Sequence, residues 1–209
     1  TGYLYDPKDK AGLAHYLEHM LFLGTKKYPE VGSYKKFLDS HSGGSNAYTG
    51  GAITNYFFQV SHDGYNEALD RFSDFFKAPL LDKTYAEREV KAVNNEHEKN
   101  RLNDGWRGNY VSGLMSEPGH PASKFGTGNK ETLSGDNGPA LLDFYKRYYS
   151  ASNMKLALIS SMPMEILSGV AQKYFADIPS RPVNIPSLSP DFRKPLQGAY
   201  RLLKIKTIK

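Results

Sequence analysis

One ten-residue stretch constrains this chain more than any other: Gly12-Leu13-Ala14-His15-Tyr16-Leu17-Glu18-His19-Met20-Leu21. On an α-helix, positions i, i+3 and i+4 share a face, so His15, Glu18 and His19 point into one small volume. Leu13, Leu17, Met20 and Leu21 fall largely on the other sides and can hold the turn in a core. Two imidazoles four residues apart can grip one zinc ion through ring nitrogens, roughly 2.0–2.1 Å away. A carboxylate just before the second imidazole is well placed to take a proton from water at that ion. The competing reading is a pair of helix histidines that happen to flank a glutamate, and chance supplies such matches.

The pattern is H-x-x-E-H, the inverted form of the commoner zinc-protease signature. A third ligand would change the weighing, and residues 87–100 supply a candidate. That stretch is Ala-, Glu- and Lys-rich, lacks Gly and Pro, and reads as a helix. Glu89 and Glu96 stand two turns apart on one face with Val93 between them, an unusual pattern for a solvated face. His15-Tyr16-Leu17-Glu18-His19, followed 77 positions after His19 by Glu96, resembles the pitrilysin/insulinase family of zinc peptidases. Residues 12–29, 42–56, 87–103, 120–129 and 148–154 also read like blocks of that family, in the right order.

The resemblance implies a zinc-dependent endopeptidase that cleaves small peptides, with one Zn2+ per domain held by His15, His19 and Glu96. Three protein ligands leave one open position, the mark of a catalytic rather than a structural zinc site. Glu18 would then be the catalytic base, accepting a proton from the attacking water and passing it to the leaving amine. Glu89 would orient a ligand histidine; its alternative is a surface carboxylate. Residues 42–51 are a Gly-rich approach to a strand, which on residues alone is a turn plus hairpin. In the family the matching strand pairs with substrate backbone, so Asn46 and Ala47 would exchange main-chain bonds with the peptide and Tyr48 would line a side-chain subsite. Expected partners are peptide substrates and the remaining homologous domains of the same protein. A later domain would contribute an Arg and a Tyr to stabilise the developing oxyanion. Two other readings are a catalytically inactive, peptide-binding homologue and a non-proteolytic lyase or hydrolase with the same motif. The strand at residues 46–49 favours the peptidase, since a small-molecule lyase has no use for an edge that pairs with peptide backbone.

The remaining residues set the frame. Helical patterns at residues 33–40, 63–76, 139–149 and 165–175 alternate with strand-like runs at 54–61 and 155–160, the second read as buried. Leu142, Tyr145 and Tyr149 form the apolar stripe expected of the 139–149 helix, and Ile166, Val170 and Tyr174 that of the 165–175 helix. Residues 103–137 read as loop-rich, with Trp106 buried or propping Glu96. The fold expected is α+β, and the resemblance specifies a largely antiparallel sheet covered on one side by helices, incomplete at both ends. Residues 1–209 would be one partial N-terminal peptidase domain, running through a Pro-rich connector at 180–197 into a truncated strand.

Zero cysteines exclude disulfides, thiolate ligands and a cysteine nucleophile. The net charge of +5 comes from scattered Lys and Arg with no basic stripe, which argues against nucleic-acid binding. No apolar run approaches the 18–20 residues of a membrane span. The compartment stays open: periplasmic if pitrilysin-like, cytosolic if insulinase-like. His41, His62 and His120 read as loop histidines without ligand spacing, and His97 lies about 100° round its helix from Glu96.

Overall fold

Leu13, Tyr16, Leu17, Met20 and Leu21 are all buried, so the motif helix α1 (Leu13–Leu21) is the centre of the molecule and not a surface element. The computed structural model describes residues 1–117 and 119–188. Around α1 lie α2 (Ser33–Ser40), a hairpin of β1 (Gly44–Thr49) and β2 (Thr54–Gln59), α3 (Tyr65–Asp74), α4 (Lys83–Arg101), α5 (Asp104–Leu114), α6 (Gly138–Tyr148) and α7 (Met164–Phe175). The sheet among the described residues is this antiparallel pair, with Asn46 opposite Phe57 and Thr49 opposite Thr54.

Strand alternation puts Ser45, Ala47 and Thr49 on the same face as Tyr56 and Phe58. That face meets helices: Tyr56 packs on Phe22 and Phe76, and Phe58 on Phe72 and Tyr34. The other face carries the exposed Tyr48 and Phe57. The hairpin is thus covered by helices on one side, as expected of the α+β class, and the same chain direction aims Thr49 at α1.

Several readings of single segments change. Residues 155–160 form no strand and are not buried, with Ile159 94% exposed and Leu156 45%. The run has β-propensity, but a strand needs a neighbour to bond, and none of the described residues provides one. Residues 103–137 contain a full helix, α5, started by Asn103, whose side-chain oxygen accepts the Trp106 N–H. An Asn cap outweighed the Gly residues that suggested loop. Trp106 is half exposed against Phe125 and not buried. On α6 the buried stripe is Leu141, Phe144, Tyr145 and Tyr148, joined by Tyr149 just past its end, while Leu142 faces solvent. On α7 Tyr174 is buried and Ile166 is exposed. Of the Pro-rich connector, residues 180–188 carry no helix or strand; the rest of it and the terminal strand expected at 198–206 lie outside the described residues. No helix among the described residues is long and apolar enough to cross a membrane.

Candidate metal centre

The N-terminus of α1 has no cap from its own N-cap residue, since Gly12 sits there with φ 92°. Asp6 reaches in from the preceding turn, and its carboxylate accepts the N–H groups of Gly12 at 2.6 Å and Ala14 at 2.8 Å. Burial pushes the Asp6 carboxyl up to about 7, against those two N–H groups and the nearby Lys124 and His15, which pull it down. A side chain at Gly12 would collide with the backbone of Gly128. Glycine at both positions lets the 120–129 segment lie against the first turn of α1.

That close approach carries Thr127 to His15. The Nδ1–H of His15 donates to the Thr127 carbonyl at 2.9 Å. A carbonyl only accepts, so Nδ1 carries a proton, and in the neutral ring that leaves the Nε2 lone pair outward. His19 is held in the same sense, with Nδ1 3.4 Å from Glu89 Oε2. Both Nε2 atoms then meet one carboxylate: His15 Nε2 is 3.4 Å and His19 Nε2 3.6 Å from Glu96 Oε2. The ligand atoms of His15, His19 and Glu96 all lie within 4.8 Å of one another. Two donors 2.0–2.1 Å from a tetrahedral ion stand about 3.3 Å apart, so the spacing and the tautomers both suit a zinc ion.

The electrostatics follow from the crowding. Hydrogen bonding to His15 and then His19 holds the Glu96 carboxyl well below the usual carboxylate range despite burial. Glu89 is lowered, chiefly by its bond to His19. Burial alone would lower His19, but Glu89 and Glu96 outweigh it and hold the imidazole up at about 9. Glu18, 6% exposed, is raised by burial. Its Oε2 accepts the Thr49 hydroxyl at 2.5 Å.

The structure therefore gathers His15, Glu18, His19, Glu89 and Glu96, and it separates the three strand residues by role. In an antiparallel pair, successive residues turn their main-chain groups alternately to the partner and away. The Gly50 N–H bonds Ile53 O, which fixes the alternation, and Ala47 accordingly shows its main chain to the free edge of β1. There the Ala47 N–H is held by Asn46 Oδ1 at 2.9 Å. The main-chain groups of Asn46 point to β2 instead, so only its side chain stands at that edge. Tyr48 is 52% exposed on the sheet face turned away from Glu18.

Sequence reasoning missed Thr127 and Thr49. Both lie inside stretches that drew attention, but a backbone carbonyl has no residue signature and a lone Thr in a strand is common. His97 is outside the cluster, edge-on to Phe125. His120 accepts the Ala122 N–H, a structural role, and His41 Nδ1 bonds the Phe37 carbonyl.

Residues 1–119 match the family described as Insulinase (Peptidase family M16), and residues 137–207 match the Peptidase M16 inactive domain. The chain is 43% identical to insulin-degrading enzyme of Bos taurus over 217 aligned positions, covering all of the chain and 21% of the relative. It is 38% identical to the A-factor-processing enzyme of Saccharomyces cerevisiae, again covering 100% of the chain and 21% of the relative. The crystal structure of pitrilysin superposes with a TM-score of 0.89 at 41% identity, over 93% of this chain and 21% of that one. The chain thus spans about a fifth of the length of the relatives it matches. With the family model matched over more than half of the chain, and the chain aligned from end to end to a fifth of insulin-degrading enzyme, this chain belongs to the insulinase family of peptidases, M16.

Proposed function

We propose that this chain is the metal-bearing part of a zinc endopeptidase that cleaves small peptides. The observation that carries the reading is the convergence of two imidazole Nε2 atoms, each with its Nδ1 already committed, on one Glu96 oxygen. His15, His19 and Glu96 would hold the zinc. Bound there, zinc supplies Lewis-acid polarisation of a carbonyl and activates water at near-neutral pH.

The rest of the work falls to the chain's own groups. The free edge of β1 at Ala47 receives an extended peptide, whose carbonyl replaces the Asn46 side chain on the Ala47 N–H. Glu18, shielded from bulk water, accepts the proton of the attacking water at its carboxylate and returns it to the leaving nitrogen. Glu89 and the Thr127 carbonyl keep the two imidazoles in the ligating tautomer.

Glu18→Gln in the whole protein is expected to keep zinc by metal analysis and to abolish turnover of an internally quenched peptide. Glu96→Gln is expected to lower zinc content. Full zinc occupancy in Glu96→Gln removes the third-ligand assignment. Full turnover in Glu18→Gln removes the base.

A further inference from the structure

We infer that Thr49 is a positioning residue that ties the catalytic base to the strand that holds the substrate. The inference rests on the peptidase reading above and adds a residue that the motif does not contain. Thr49 Oγ1 makes the one hydrogen bond that the Glu18 side chain receives among the described residues, at 2.5 Å to Oε2. A free glutamate has three side-chain torsions to settle. Fixing Oε2 to a post leaves Oε1 as the atom that takes up and gives back the proton.

The post is itself held. Thr49 is the last residue of β1 and faces Thr54 across the hairpin. Its single hydroxyl proton goes to Glu18, whose Oε2 at 2.5 Å is far nearer than the Thr54 hydroxyl at 3.5 Å, and Thr54 spends its own proton on the Thr1 carbonyl at 2.9 Å. The connecting turn is pinned from the N-terminal segment: the Tyr3 N–H bonds Gly50 O and the Leu4 N–H bonds Gly51 O, at 3.1 and 3.0 Å. A side chain at Gly2 would collide with the Gly50 carbonyl, so segment and turn are in van der Waals contact.

The position of Thr49 on the strand gives the tie its purpose. It lies two residues beyond Ala47, so its main-chain groups also fall on the free edge of β1 while its side chain turns inward to α1. One residue thus presents backbone to the peptide on one side and a hydroxyl to the base on the other. The distance from the substrate main chain to the Glu18 carboxylate is set through a single Cα. Registry errors of about 1 Å in such a geometry are costly to rate.

The hydroxyl and the backbone can be separated by substitution. In the whole protein, Thr49→Val keeps the β-branched shape and the main chain but removes the donor. kcat for an internally quenched peptide is expected to fall about 10- to 100-fold, with KM within twofold and zinc content unchanged. Thr49→Ser, which restores the hydroxyl, is expected to recover kcat to within about threefold. An unchanged kcat in Thr49→Val, a rise in KM alone, or a loss of zinc overturns the inference. Should Thr49→Val melt early, Thr49→Ala measured against Thr49→Ser poses the same comparison. Full activity in Glu18→Gln would instead defeat the base reading, an outcome distinct from failure at Thr49.

Discussion

At the scale of single residues, the proposed zinc site would set protons against metal. Glu89 and Glu96 hold His19 protonated up to about 9, whereas its ordinary value is 6.5. A raised imidazole stabilises the fold fully below 6.5 and loses that contribution as pH climbs through 9. Zinc needs the neutral ring, so binding releases the proton and strengthens over the same window. Chelated protein is therefore expected to melt earlier at pH 9 than at pH 6.5, while the gain in melting temperature on adding zinc grows. Equal zinc-induced gains at both pH values, read by thermal melts, would rule the competition out. Glu89→Gln keeps the shape but weakens the hold on Nδ1, and zinc affinity is expected to fall about 10- to 100-fold. A loss no greater than that for the exposed Glu30→Gln would make Glu89 an ordinary carboxylate.

At the scale of elements, the helix that carries the motif depends on a residue outside it. Asp6 supplies the acceptors that the α1 N-terminus lacks, at Gly12 and Ala14. Asp6→Ala leaves two buried N–H groups without partners, and a lost cap typically costs about 1–2 kcal/mol. The expected result is that loss in denaturant unfolding, with Asp6→Asn intermediate because it keeps one carbonyl oxygen as acceptor. An unfolding midpoint equal to wild type would show that α1 is held by its core residues alone. The same end of α1 receives the segment bearing Thr127, so destabilisation here is expected to weaken zinc binding as well.

At the scale of the whole molecule, the described residues leave apolar surface uncovered where the sequence promised a buried strand. Ile159 is 94% exposed, Met164 74% and Ile166 52%. Exposed apolar side chains favour association. The 209-residue chain alone is expected to self-associate at micromolar concentration in sedimentation velocity runs, and Ile159→Ser with Met164→Ser to reduce it. A monomer with or without those substitutions would refute this. We further propose that catalysis needs groups from the remainder of the protein, since the chain spans about a fifth of its relatives. Peptide turnover by the 209-residue chain is then expected to be far below that of the whole protein and to rise when the remainder is added in trans.

The sequence by itself determined what depends on spacing along one element. His15, Glu18 and His19 share a face because a helix repeats every 3.6 residues, and Glu89, Val93 and Glu96 do so for the same reason. The hairpin of β1 and β2 was legible from its Gly-rich approach and its aromatic, β-branched second strand. Tertiary structure alone decided what depends on contacts between distant segments. Which nitrogen of His15 faces Glu96 is set by a carbonyl 112 positions away, and the Glu18 carboxylate is bonded by a hydroxyl 31 positions away. Which strand residues show their backbone to the free edge was fixed by hairpin register, which puts Ala47 there and turns Asn46 to β2. Residues 155–160 failed as a strand for the same reason: β-structure is completed by a neighbour, and local sequence carries the propensity without the partner.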